Sequence, residues 1–323
     1  MAMAWTVQAQ SVIYVKSGSQ GNGQSWENAL GDLQQALQMA QRGQQIWVAK
    51  GTYFPTKGTD RQASFQITDG VKLYGSFAGT EQSPAERNLN LNPSILSGHI
   101  GSASISDNSF NVIRTSGVSD QTVVDGFVIT GGNANRAAVV GNPEGCGGAW
   151  YNDGAMGKKS SPTIRNCIFK GNQAHYGGAL FNNGLKGVCV VNIENCTFEQ
   201  NIASSNGGAI YNSGINGSCN IKIATTHFIK NQASYGAGIQ NRADAGVASP
   251  LVRNCTFREN VAYLSGSGVY NYRSPEGTCR PVLNGCIFEN NKDGLGETVS
   301  KPVGGHATSK GKRSSSIIMR PTY

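Results

Sequence analysis

Five copies of a unit about thirty residues long follow one another between positions 141 and 293, and each carries the same two marks. The first is Phe-x-x-Asn, at Phe169/Asn172, Phe198/Asn201, Phe228/Asn231, Phe257/Asn260 and Phe288/Asn291. The second is a glycine-rich hexamer ending in Asn: GGAWYN at 147–152, GGALFN at 177–182, GGAIYN at 207–212, GAGIQN at 236–241 and GSGVYN at 266–271. The Phe positions advance by 29, 30, 29 and 31, and the final Asn of the hexamers by 30, 30, 29 and 30. A short motif held at a fixed period amid variable filler is the mark of stacked repeats, each burying its apolar face against its neighbours. The chain is therefore constrained to a solenoid.

No unit offers ten residues with apolar spacing near 3.6, which excludes a helical solenoid. Alternation of period two appears instead. Cys189, Val191 and Ile193 form one apolar face, as do Cys219/Ile221/Ile223 and Cys279/Pro281/Leu283. After a kink at Glu194-Asn195, Cys196 and Phe198 point inward again, Asn201 turns the chain, and Ala203 and Ile210 supply a third wall. Three short strands per unit separated by Asn and Gly turns describe one rung of a parallel β-helix. Rungs in register stack equivalent side chains about 4.8 Å apart, so each column must be compatible with itself. The column two residues before Phe reads Cys167, Cys196, Thr226, Cys255, Cys286, and the turn column is Asn throughout. Such a column suits an amide ladder. Charges complement one another too: Lys170 should stack on Glu199 and Arg165 on Glu194, with Arg258 and Glu289 further along.

Residues 11–140 fit the same plan less regularly. Asp32–Arg42 reads as an amphipathic helix with apolar Leu33, Ala36, Leu37 and Ala40, stopped by Gly43. Strands are expected at Ile46–Ala49, Val71–Tyr74, Ser94–Leu96, Phe110–Ile113 and Val123–Ile129. A helix before the first strand would cover the open end of the core, a need common to repeat arrays. The organisation expected is one continuous solenoid over 11–293, with residues 1–10 as the remnant of a secretory signal or a disordered start. Residues 294–323 read as a basic, disordered tail without a sixth hexamer, leaving the last rung uncapped.

The paired FxxN and GGAI-type motifs resemble the repeats of bacterial polymorphic outer membrane proteins. The leading stretch, with IYVKSGSQGNGQSWENAL, IWVAKGTYFPT, GVKLYGSFAGTE and VVDGFVITGGN, resembles the N-terminal part of secreted bacterial right-handed β-helix proteins. The resemblance covers about Val12 to Asn291. It implies an all-β, right-handed parallel β-helix with a short N-terminal helical cap, and an exported protein at the cell surface or outside the cell. The fold is shared by adhesins and by polysaccharide-degrading enzymes, so it does not choose a function.

Composition narrows the classes further. Charged residues make up 14%, Gly numbers 43, and the net charge is +8, the balance of a turn-rich β chain. The longest apolar run falls short of the eighteen residues a membrane helix needs. Seven of the eight cysteines fall in two inward columns, 167/196/255/286 and 189/219/279. Two readings stay open: stacked buried thiols, or rung-to-rung bridges such as Cys189–Cys219. No Cys/His spacing points to zinc, no cofactor motif is present, and nothing resembles a nucleic-acid-binding motif.

Catalysis by a parallel β-helix on acidic polysaccharide needs either clustered carboxylates for calcium or paired acids across the sugar. Asp153, Asp244 and Asp293 fall in loops of different columns, and only Asp107, Asp120 and Asp125 remain to meet in space. A metal-free lyase needs a base and a cation for the substrate carboxylate. His175 and Tyr176, near Lys170 and Arg165, are the weak candidates for that task. The fifth hexamer position offers more. Tyr151, Phe181, Tyr211 and Tyr270 point away from the core in four rungs of five, with Gln240 in the other. An exposed aromatic stripe could stack on sugar rings; a covered one would be a self-stabilising ladder. The expected function is an adhesin-like interaction protein that binds glycan or another surface macromolecule along a solenoid wall. The alternatives are a polysaccharide lyase or hydrolase, and a structural protein self-associating through its uncapped C-terminal rung.

Overall fold

Alternation inside each rung sends one side chain in and the next out, and stacking the rungs turns these alternations into continuous sheets. The computed structural model describes residues 12–102 and 104–294, with the strands Ala307–Ser309 and Ile317–Pro321. All strand pairs are parallel and in register apart from local bulges, and the fold is an all-β parallel β-helix. Its first wall is a nine-stranded sheet from Val12–Val15 to Val282–Asn284. The second, also nine-stranded, runs from Gly51–Tyr53 through Ile168–Lys170 to Ala307–Ser309. The third has six strands, among them Gln173–Tyr176, and the fourth has eight, among them Trp150–Asp153. A short three-stranded sheet at Lys159–Ser160, Val188–Cys189 and Ser218–Cys219 bridges the fourth wall to the first.

Four or five strands per regular rung replace the three expected. The run Cys189–Ile193 breaks at Val190-Val191 into two strands, and Ala203 and Ile210 sit on different walls. The corners explain the division. Asn166, Asn195, Thr225 and Asn254 all have φ between 49° and 54°, and Gly171, Gln200, Lys230 and Glu259 lie between 55° and 65°. The first Gly of every hexamer is left-handed as well. These residues turn the chain and end strands of three to five residues.

Inside, Phe169, Phe198, Phe228, Phe257 and Phe288 form a stack with centroids 4.6, 5.2, 4.6 and 4.8 Å apart and planes within 6°. Beside it runs the expected amide ladder. Nδ2 of Asn172, Asn201, Asn231 and Asn260 each donates to Oδ1 of the next Asn at 2.9–3.1 Å, ending at Asn291. A second ladder, not foreseen, joins the hexamer ends Asn152, Asn182, Asn212, Asn241 and Asn271 at 2.8–3.1 Å. All eight cysteines are buried free thiols.

Thr225 is the misfit of its corner. A β-branched residue at φ 49° is strained, at about 1–3 kcal/mol, and it interrupts the Asn column. Asn195 Nδ2 already donates to Asn166 Oδ1 at 2.7 Å across that corner. Thr225→Asn should therefore stabilise the protein by about 1 kcal/mol, read as a higher urea midpoint. A lower midpoint would show that the threonine methyl packs better than the strain suggests.

The helix is shorter than the sequence suggests, and it follows the first strand, Val12–Val15, instead of preceding it. It spans Leu33–Met39, capped by Asp32 Oδ1 accepting from Gln34 N at 2.8 Å, with Leu33, Ala36 and Leu37 buried. It packs on the strands Val12–Val15, Gln45–Ala49 and Phe65–Gln66. The strand expected at Phe110–Ile113 lies at Ile113–Ser116, and Val123–Ile129 is split at Gly126, whose φ is 82°.

Two short segments of the tail read as disordered form strands instead. Ala307–Ser309 pairs with Cys286–Phe288, and Ile317–Pro321 with Val269–Arg273. The open end expected across the whole rung is thus reduced. Among the described residues, only the first and third walls end on a regular-repeat strand, at Val282–Asn284 and Lys292–Asp293. The remainder of the tail, and the start 1–11, lie outside the described residues.

Burial holds several thiols and phenols in their neutral form. It pushes the Cys146 and Cys279 thiols and the Tyr53 phenol up to about 12, and raises Cys196, Cys219, Tyr151 and Tyr211 as well. The unfolded chain releases these protons from about pH 9 upward, whereas the folded chain holds them until about pH 12. Stability is then fully present below pH 9 and falls as pH rises towards 12, because the unfolded state binds fewer protons. Urea midpoints measured from pH 7 to 11 should be flat and then decline. A constant midpoint to pH 11 would contradict the burial of these groups.

Candidate functional surface

The first wall presents two outward columns that flank its buried Ile164, Ile193, Ile223, Val252 and Leu283. One column reads Lys72, Val123, Thr163, Asn192, Lys222, Leu251, Val282. The other reads Tyr74, Asp125, Arg165, Glu194, Ala224, Arg253, Asn284. A groove runs along each side of this wall.

The groove of about 430 Å³ is lined by Asp125, Arg165, Asn166, Glu194, Asn195 and Thr225. Asp125 is 2% exposed and fully occupied. Its carboxylate accepts from Arg165 Nε and Asn166 Nδ2 at 2.8 Å, and from Arg87 Nη1 at 3.3 Å. Arg165 was expected to pair with Glu194, its register neighbour on the following rung. It turns to Asp125 on the preceding rung instead, because attraction to a buried carboxylate is less screened than to an exposed one. Glu194 is left exposed, with no ion-pair partner among the described residues.

The groove on the other side, about 310 Å³, is lined by Asp69, Gly117, Val118, Ser119, Asp120, Lys159, Ser161, Val190, Asn192 and Lys222. Asp69 is committed: it pairs with Arg42, and its Oδ1 accepts from Ser119 N at 2.7 Å and Ser119 Oγ at 2.5 Å. Lys159 and Lys222 are exposed and have no carboxylate within 4 Å among the described residues. Ser161 Oγ, at the floor, is buried without a hydrogen-bond partner. Sequence reasoning passed over these lysines, although their signal was present: Lys222 precedes the inward Ile223 as Asn192 precedes Ile193.

The aromatic positions expected to form an exposed stripe are buried. Tyr151, Phe181, Tyr211 and Tyr270 are 7%, 0%, 0% and 7% exposed. They do lie outside the main core, where Tyr151, Phe181 and Tyr211 stack at 5.7 and 5.1 Å. The hexamer corner is narrow enough for the third-wall strand of one rung to fold its last ring over the aromatic of the next. Tyr176 packs edge-on against Tyr211 and Tyr235 lies tilted against Tyr270, while Val140 and Cys146 pack against the first of the rings. Tyr151 also donates from its hydroxyl to Gly141 O at 2.6 Å. The expected exposed stripe is instead a buried ladder of rings.

The weak catalytic candidates do not converge either. Arg165, Lys170 and His175 stand on three different walls. Lys170 pairs with Glu199 at 3.3 Å, as the columns suggested. His175 contacts Ser204 Oγ at 2.6 Å and Asn135 O at 3.1 Å through its two ring nitrogens, and Tyr176 is half-buried. Asp107, Asp120 and Asp125 stay apart in their bonding: Asp107 accepts from Ser102 N at 2.7 Å and Asp125 from the two arginines. Among the described residues no three His, Cys, Asp or Glu side chains gather as a metal site would require.

Residues 195–213, which hold one FxxN motif and one hexamer, match the Chlamydia polymorphic membrane protein repeat. No curated protein matches this sequence. Among solved structures, the crystal structure of pectate lyase Pel9A is similar at a TM-score of 0.44 and 12% identity, covering 93% of this chain and 78% of that one. The chain is a parallel β-helix repeat protein whose repeats resemble those of the Chlamydia polymorphic membrane proteins.

Proposed function

We propose that the chain is the rigid β-helical part of an exported, surface-displayed interaction protein, adhesin-like in action, that holds a glycan or another surface macromolecule against its first wall. The observation that carries this reading is the pair of polar grooves along that wall, where Glu194, Lys159 and Lys222 stand without ion partners among the described residues. The matched repeat supports display at a surface. Groups spaced by rungs on a stiff frame suit an extended ligand, because holding them in place costs little entropy on binding. A glycan-array screen of the full chain tests this. Retention of at least one glycan class, weakened by Glu194 or lysine variants that unfold normally, is expected; no retention of any glycan or of intact cells would refute it. Self-association would use the strand ends of the first and third walls, and light scattering across a concentration series reads it directly.

A further inference from the structure

The geometry points to the 310 Å³ groove beside the first wall as a site for a chain of carboxylated sugars, with Lys159 and Lys222 taking the carboxylates. This rests on the reading of the chain as a glycan-binding surface protein. The groove's volume is at the lower end of small-ligand sites. Along the solenoid axis its polar groups come rung by rung. Asp120 precedes the rung of Lys159 and Ser161, Asn192 lies on the next, and Lys222 on the one after. The two ammonium groups therefore belong to rungs roughly 10 Å apart along the axis, two strand spacings. A pyranose chain advances by about one rung height per unit, so one laid along the axis would offer a carboxylate to each lysine from every second unit.

The mixture of groups selects a sugar acid over a bare anion. A simple polyanion meets the Asp120 carboxylate, which is exposed and lies in the same groove. A sugar acid brings hydroxyl donors for Asp120 and for the Asn192 carbonyl oxygen, together with the negative groups that the lysines lack. Val190, half-buried, gives the groove an apolar edge for ring carbons. Ser161 Oγ, buried at the floor with no partner, is a hydrogen-bonding group still to be satisfied.

The test uses the full chain and two probes: a trimeric uronic-acid oligosaccharide and its methyl ester, which keeps the hydroxyls and removes the charge. Titration calorimetry should show the acid binding at least tenfold more tightly than the ester, with affinity falling as salt rises. Lys159→Gln and Lys222→Gln should each weaken the acid about tenfold and leave the ester unchanged. Both side chains are exposed, so unchanged urea midpoints are the folding control. Equal affinity for acid and ester overturns the proposal, as does displacement of the acid by sulfate at equal concentration, which would mark a simple anion site. Glycan binding indifferent to both lysine variants overturns this site while leaving the surface-binding reading intact. Failure to retain any glycan overturns both.

Discussion

Asn231→Ala should lower the unfolding free energy by about 3–5 kcal/mol, from the cost of leaving several buried polar groups unpaired. Asn231 Nδ2 donates to Phe198 O and to Asn260 Oδ1, each at 2.9 Å. Its Oδ1 accepts from both Asn201 N and Asn201 Nδ2 at 3.0 Å. Removing the amide leaves two donors of Asn201 and the carbonyl of Phe198 without this partner inside the core. The loss should centre on the rungs touching residue 231. Hydrogen exchange at the amides of Asn201 and its neighbours should quicken more than at the helix or the Tyr14 rung. Aspartate at this position should do no better, since it keeps the acceptor but buries a charge and removes the donors. A change under 1 kcal/mol would show that the ladder adds nothing to the backbone pairing around it.

Phe228→Ala is expected to cost about as much, 3–5 kcal/mol, by a different route. The ring is fully buried between Phe198 at 5.2 Å and Phe257 at 4.6 Å. Truncation opens a cavity that two neighbouring rungs cannot close, because each is pinned by its own strands. Phe228→Leu should cost under about 1.5 kcal/mol. The column itself supports that estimate, since its upstream positions are Ile129, Leu96 and Tyr53 in register. An aliphatic residue already fills this slot where the rungs are less regular. If Leu and Ala were equally damaging, ring stacking rather than volume would hold the column.

The interior was legible in the sequence because self-stacking makes every core position repeat. Phe169 and Asn172 announce their neighbours at a fixed spacing, and one rung predicts the next. The exterior obeys no such rule. Arg165 had two register neighbours of the right charge, and only the burial of Asp125 decided between them. Tyr211 points away from the main core as alternation requires, yet Tyr176 from the third wall of the preceding rung covers it. Alternation gives a direction along a strand and says nothing of what lies across a corner. Lys159 and Lys222 escaped notice for the complementary reason: they come from different sheets, two rungs apart, and share no motif.

The direction of the ladders has a mechanical consequence. Strand-to-strand hydrogen bonds, the Phe stack and both Asn ladders all run along the solenoid axis. Tension on the two ends of the described helix would load each rung interface in series and peel one turn at a time, each release freeing about thirty residues. A single-molecule force trace would then show steps of roughly 100 Å, where one abrupt rupture of the whole body would rule this out. A side-on load meets a stiff rod, and an axial pull meets a chain of weak links that give way in turn.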